Sequence, residues 1–190
     1  MKKVSIILMT ILVAGCAIFH PTWTKTAQDV INSAKVKEDT FEKTKTVNFT
    51  KVTPYTLQDR KKVLGQWDTL NGQFYLRGII VANLPVVYQI VIATNNSSAW
   101  GFYERALDSN GKKLDFKVVD SKVDTSLNLV KTVEYMTITL SEDYIKQHLN
   151  DNLIIKVYGK RDNFVFYVPQ SYLEGVYKYF NGEDSLSKGK

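Results

Sequence analysis

Short segments in which apolar and polar residues alternate, separated by turn residues, are the feature that most limits the fold of this chain. A period of two residues is that of a half-buried strand, because successive side chains of a strand point to opposite faces. Such alternation, or a short apolar run, occurs at residues 47–52, 73–82, 86–93, 100–107, 114–118, 130–140, 153–158 and 164–168. Strands at intervals of about 10–15 residues, without regular strand–helix alternation, predict a mainly β protein with an antiparallel β-sandwich-like domain.

The turn residues predict which strands pair. Asn83-Leu84-Pro85 joins two apolar runs and indicates a hairpin near the middle of the core. Asp108-Ser109-Asn110-Gly111 contains the Asn-Gly pair typical of tight turns, so we expect residues 114–118 to pair back on residues 100–107. Gly78 within a strand indicates a bulge, and residues 120–128 are expected to form a polar loop.

Two further segments predict helices in the second half of the chain. Ser141 is a good N-cap and is followed by two acidic residues, which predicts a helix to about Leu149. Ser171-Tyr172-Leu173-Glu174 fits a capping box, and the apolar spacing after it predicts a C-terminal helix that ends at Asn181-Gly182. The apolar spacing of Trp23, Ala27, Val30, Ile31 and Ala34 also predicts a short helix before the domain, so we expect two or three short helices in all.

Composition excludes several classes of protein. The chain has 190 residues, of which 44% are hydrophobic and 23% are charged, values of a globular chain with room for one domain. Its single cysteine excludes an intramolecular disulfide framework. The net charge of +6 is spread along the chain and is poor evidence for binding nucleic acid.

The N-terminus has the three parts of an export signal. Met1-Lys2-Lys3 is basic, residues 4–13 are mostly apolar and too short to span a bilayer, and Leu12-Val13-Ala14-Gly15-Cys16 follows. This order of segments resembles the type II signal peptide and lipobox of bacterial lipoproteins. The resemblance implies cleavage before Cys16, diacylglycerol on the Cys16 sulfur and a protein anchored to a membrane without crossing it.

The same resemblance implies a location. Ala17, rather than the aspartate that commonly retains lipoproteins in the inner membrane, implies the outer membrane of a Gram-negative cell, facing the periplasm. In a Gram-positive cell it would imply the outer face of the cell membrane. We therefore expect a signal peptide at residues 1–15, a lipid anchor and tether at 16–45, a strand-rich domain at 46–182 and a polar tail at 183–190.

The sequence contains no convincing catalytic or metal-binding motif. His20 and His148 are far apart and have no partners at metal-ligand spacing. Glycine patterns for phosphates and motifs for a nucleophile are absent. We therefore expect a non-enzymatic protein without a cofactor or metal. An envelope hydrolase with two facing carboxylates remains an alternative, with candidates Glu104, Asp108, Asp115, Asp120, Asp124 and Glu134.

Aromatic residues are the most promising binding feature, because the chain has eleven tyrosines, nine phenylalanines and three tryptophans. Most should pack in the core, but tyrosine also suits protein interfaces and sugars. The first candidate cluster is Trp100, Phe102 and Tyr103, beside the loop at residues 95–98. The second comprises Tyr172, Tyr177 and Tyr179 on the last helix, where Tyr172 and Tyr179 flank the apolar stripe.

The last 85 or so residues also resemble a group of uncharacterised periplasmic lipoproteins of Gram-negative bacteria. The resemblance is carried by residues 106–114, 133–135, 155–160, 168–169 and 172–175. It implies a binding or structural role and assigns no catalytic residue. We expect an envelope lipoprotein that contacts another envelope protein; a glycan- or peptidoglycan-binding module using exposed Trp100 and Tyr103 is the alternative.

Overall fold

The structure, a computed structural model, describes residues 23–53, 71–96, 99–125 and 130–182. Within these ranges the chain forms nine strands and three helices. In order they are α1 (Ala27–Asn32), β1 (Lys35–Asp39), β2 (Thr44–Asn48), β3 (Gly72–Val81), β4 (Val87–Thr94), β5 (Tyr103–Asp108), β6 (Asp115–Asp124), β7 (Lys131–Leu140), α2 (Glu142–Gln147), β8 (Leu153–Gly159), β9 (Asn163–Val168) and α3 (Gln170–Asn181).

The strands form two antiparallel sheets. The large sheet has the order β1-β2-β3-β4-β7-β6, and the small sheet has the order β5-β8-β9. One apolar core joins both sheets and all three helices. At its centre the rings of Phe74 and Phe166, one from each sheet, lie 4.9 Å apart. The predicted mainly β, sandwich-like fold with a C-terminal helix is confirmed, as is the hairpin of β3 and β4.

The segment expected to be a tether is part of the large sheet, so that prediction was wrong for residues 35–45. β1 pairs with β2 in a register that sets Val36 opposite Val47, and Lys45 forms an ion pair of 3.3 Å with Glu38. The expected boundary between tether and domain at residues 45 and 46 therefore falls within β2. β1 looks like a linker in the sequence because every one of its residues is exposed, and charged side chains are common on edge strands.

The expected pairing of residues 114–118 with residues 100–107 holds only next to the turn, where the Leu114 N–H donates to the Ala106 carbonyl oxygen at 3.0 Å, and was wrong beyond it. The turn itself is present, since Gly111 has φ +79° and donates its N–H to the Asp108 carbonyl oxygen. β6 then pairs with β7 along its whole length, as far as Asp124, so it also occupies part of the expected loop at 120–128. β5 pairs with β8 instead. Turn residues reverse the chain, but long-range packing selects the strand partner.

The ends of the helices confirm one predicted cap and correct another. Ser141 caps α2 by accepting the Tyr144 N–H at 3.2 Å. α3 begins at Gln170, directly after Pro169, and has no side-chain cap. The Ser171 hydroxyl instead donates to the Lys25 carbonyl oxygen and accepts the indole N–H of Trp23. This serine attaches the start of the described chain to the last helix.

The expected signal peptide, the expected lipidation site Cys16, His20 and the expected tail at residues 183–190 lie outside the described residues. Of the helices that the structure does describe, none has the length and apolar character needed to cross a bilayer.

Candidate functional site

The first predicted cluster lies on the connection between β4 and β5, and its centre is held by a buried carboxylate. We call residues 100–102 the 100–102 loop. Glu134 of β7 is only 3% exposed and accepts the backbone N–H groups of Gly101 (2.7 Å) and Phe102 (3.1 Å). A buried carboxylate needs such donors, because burial without them is costly. Glu134 therefore fixes the loop to the large sheet.

The opposite side of the 100–102 loop is bonded to the small sheet. The carbonyl oxygens of Gly101 and Phe102 accept the N–H groups of Arg161 (3.2 Å) and Lys160 (3.1 Å), both in the β8–β9 turn. A side chain at Gly101 is excluded, since its Cβ would lie 2.4 Å from the Tyr103 ring. The backbone of Gly101 and Phe102 is therefore hydrogen-bonded both to Glu134 of the large sheet and to the β8–β9 turn of the small sheet.

This arrangement displays Phe102 at the surface in an unusual backbone conformation. Phe102 has φ +52°, a region that a bulky residue rarely adopts, and its side chain is 46% exposed. The Arg161 guanidinium carbon lies 5.5 Å from the centre of the Phe102 ring, within the range of a cation–π contact. Trp100 is partly buried beside it. The surface feature is therefore an aromatic and a cationic side chain held together.

Tyr103 supports this loop from within and does not belong to its surface. Its ring is buried and packs edge-on against Phe164 at 5.1 Å. Its hydroxyl donates to Asp162 at 2.7 Å and accepts from the Asn96 side-chain amide at 3.3 Å. Burial, followed by the neighbouring carboxylates, raises the pKa of Tyr103. The expectation that Tyr103 is exposed was wrong.

The second predicted cluster does not form a single surface. Tyr172 is fully buried, and its hydroxyl accepts the Leu76 N–H (3.0 Å) and donates to the Thr50 carbonyl oxygen (2.5 Å). Tyr179 is partly buried, edge-on to Phe49. Tyr177, also partly buried, faces Lys146 of α2 at 6.0 Å. Tyr172 is a core residue with a bonded hydroxyl, so its expected position at the edge of the apolar stripe was wrong.

The buried carboxylates of Glu134 and Asp108 accept hydrogen bonds from donors of the same chain. Asp108 accepts the N–H groups of Asn110 and Lys112, each at 2.9 Å, and the Tyr144 hydroxyl at 2.7 Å. Burial acts to raise the pKa of Asp108, but these hydrogen bonds outweigh it and the pKa is lowered. Among the described residues, no group of three His, Cys, Asp or Glu side chains is placed to hold a metal ion. The His148 ring lies 4.7 Å from the Tyr144 ring.

Sequence reasoning missed a shallow cavity of about 220 Å³ on the outer face of the large sheet. Its lining includes Val91, Val119 and Tyr135, with Arg77, Asp120 and Lys122 at its polar part. Arg77 donates twice to the Gln89 side-chain oxygen, and Lys122 lies 5.3 Å from the centre of the Tyr135 ring. The available signal was that Val91 of β4 and Tyr135 of β7 line this face. An alternating pattern shows which residues share a face, but it does not show that the outer face also carries apolar residues.

Comparisons with protein-family models, with curated proteins and with solved structures found no match to this chain.

Proposed function

We propose that this protein is a lipid-anchored, non-enzymatic envelope protein whose domain binds another envelope protein through the 100–102 loop. The observation that carries the proposal is the exposed ring of Phe102, held at φ +52° by the buried Glu134 and paired with Arg161. The lipobox at residues 12–16 supplies the expected anchor and compartment.

The chemistry of this surface favours a protein partner. Aromatic residues and arginine are enriched in the cores of protein interfaces and carry much of the binding energy there. The four backbone hydrogen bonds to Gly101 and Phe102 fix the loop before a partner arrives. A fixed loop loses less conformational entropy on binding than a mobile one.

The two alternative functions have weaker support. A hydrolase needs two carboxylates directed at a substrate, whereas Glu134 and Asp108 each bind two backbone N–H groups of their own chain. A glycan platform built on Trp100 and Tyr103 needs two accessible rings, and Tyr103 is buried.

A photo-crosslinking residue at position 102 of the full-length protein tests the proposed surface in intact cells. The matched control carries the same residue at Phe41, which is 97% exposed in the β1–β2 turn. We expect one dominant protein adduct from position 102 that is absent from position 41 and is lost on Arg161→Ala. Equal adducts from both positions, or none from 102, would overturn the proposal. Retention on isolated peptidoglycan that is lost on Trp100→Ala would favour the glycan alternative.

The anchor is tested separately. We expect the wild-type protein to incorporate a labelled fatty acid and to sediment with membranes, and Cys16→Ala to do neither. Incorporation of label by Cys16→Ala would exclude Cys16 as the site of lipidation.

A further inference from the structure

β6 forms one edge of the large sheet, and it is a long edge. It has ten residues and pairs with β7 on one side; the described part of the chain places no strand on its other side. The opposite edge, β1, has five residues. An unpaired edge presents backbone N–H and C=O groups that can pair with another strand. On β6 the Ser121 N–H donates to the Asp120 carboxylate at 2.8 Å, a bond that pairing with another strand would exchange for one to that strand.

Exposed apolar side chains are concentrated along this edge. Val118, Val119 and Val123 of β6 are all exposed, and Val119 has 62% of its surface accessible. Val130, next to the Asp124–Lys131 pair, is exposed as well. The register shifts between Val118 and Asp120, so Val119 is an extra residue of β6 that has no residue of β7 opposite it. A bulge often protects an edge strand, but here the extra residue is itself apolar and exposed.

The charges of β6 favour a copy of the same strand as the partner. Asp120 and Lys122 are opposite in charge and two residues apart, so they lie on the same face of β6. In an antiparallel pair of two β6 strands with Ser121 opposite Ser121, each Asp120 lies opposite a Lys122. In this pair a two-fold axis passes between the two Ser121 residues. A pair with its axis at Asp120 or at Lys122 sets identical charges opposite each other, which is destabilising. A parallel pair in register also sets each Asp120 beside Asp120 and each Lys122 beside Lys122.

We propose that two copies of this protein associate through antiparallel pairing of their β6 strands about Ser121, which joins their large sheets into one. The valines of both strands then pack along the contact and lose part of their exposure to water. This association uses a different surface from the 100–102 loop and does not depend on lipidation.

A disulfide across the two-fold axis tests the register. Directly opposite residues of an antiparallel pair have Cα atoms about 4.5–5.5 Å apart, a distance that a disulfide can bridge. We expect mild oxidation of the detergent-extracted full-length Ser121→Cys protein to give a covalent dimer. Lys37→Cys on the β1 edge is the matched control, and the wild-type protein shows any dimer made through Cys16. Equal dimer yields from positions 121 and 37 would overturn the proposal.

Charge reversal tests the same contact without a covalent bond. We expect the mass of the extracted wild-type protein, measured by light scattering, to be that of two chains. Lys122→Asp should give a single chain, because it sets Asp120 opposite an aspartate. The double change Asp120→Lys with Lys122→Asp restores opposite charges and should restore the dimer. Monomeric wild-type protein, or a Lys122→Asp protein that stays dimeric, would contradict the pairing.

Discussion

The Phe180 ring of α3 lies against Gly78 of β3 so closely that a Cβ built on Gly78 would lie 2.2 Å from Phe180 Cζ. The Phe180 ring has little room to move, since it packs edge-on against Tyr88 at 5.5 Å and Phe49 at 6.0 Å. Gly78 therefore does not mark the bulge that its place in a strand predicts, because the β3–β4 register is continuous there. The absence of a side chain at Gly78 leaves the space on β3 that the Phe180 ring of α3 fills.

We expect Gly78→Ala to lower the free energy of unfolding by about 1–3 kcal/mol, because the new methyl group overpacks the contact with Phe180. Urea denaturation measures this change. The double variant Gly78→Ala with Phe180→Leu should lose less than the sum of the two single changes, since the smaller side chain makes room. Strict additivity would show that the two positions are not coupled.

The hydrogen bond from Tyr144 to Asp108 predicts a loss of stability when the hydroxyl is removed. Tyr144→Phe leaves a buried carboxylate without one of its three donors and should cost about 1–3 kcal/mol near neutral pH. Tyr158→Phe is the matched control, because the Tyr158 hydroxyl makes no hydrogen bond within the described ranges and its loss should change little. Equal effects of the two variants would contradict the assigned role.

The same bond predicts how the stability depends on pH. The pKa of Asp108 is lowered in the folded protein, so its contribution is complete above the ordinary value of 3.8 and is lost as the pH falls through the folded value. Tyr144→Phe removes part of this lowering. We therefore expect the free energies of unfolding of wild type and Tyr144→Phe to converge as the pH falls below 3.8. A constant difference between them at all pH values would contradict this linkage.

The backbone at Phe102 predicts an unusual order of stability between two truncations. Glycine normally destabilises relative to alanine because it loses more backbone entropy on folding. At φ +52° we expect the reverse, with Phe102→Gly more stable than Phe102→Ala by about 1 kcal/mol. Urea denaturation of both proteins decides this. Greater stability of the alanine variant would mean that position 102 does not need the left-handed conformation.

The carboxylate of Glu134 should control the order of the 100–102 loop. Glu134→Gln replaces one of the two acceptor oxygens with an N–H₂ group, so one loop amide loses its partner. We expect faster hydrogen exchange at the amides of Gly101 and Phe102, together with a loss of about 1–3 kcal/mol. Glu104→Gln is the control, because that exposed residue only forms a surface ion pair with Lys160. Unchanged exchange at both amides would rule out this role.

Local patterns predicted the elements that have one buried and one open face. The β3–β4 hairpin and the cap of α2 at Ser141 were predicted because period, turn and cap chemistry are properties of adjacent residues. β1 was missed because an edge strand that is exposed on both faces has no such period. The partner of β6 was wrong because it depends on β7, which follows along the chain.

The candidate site was predicted less well than the fold. The sequence drew attention to Trp100 and Phe102, but it could not separate them from Tyr103, whose hydroxyl finds partners at Asn96 and Asp162. A tyrosine suits the core as well as an interface, and only its long-range partners decide between the two. In the sequence Glu134 is one of several carboxylates, and nothing near it distinguishes it, because its two backbone donors belong to a segment more than 30 residues away.

The attachment of the first described residues to the last helix has a consequence for the order of folding. Trp23 and Lys25 bind Ser171, which is 148 and 146 residues further along the chain. Gly175 also lies against Val30 of α1, where a Cβ would be only 2.7 Å from the valine Cβ. During synthesis, which proceeds from the N-terminus, the residues that flank α1 can bond Thr50 early, but α1 lacks α3, the helix it packs against, until α3 has been made. The first helix completes its packing only with the last, so a truncated or stalled chain leaves the apolar face of α1 uncovered.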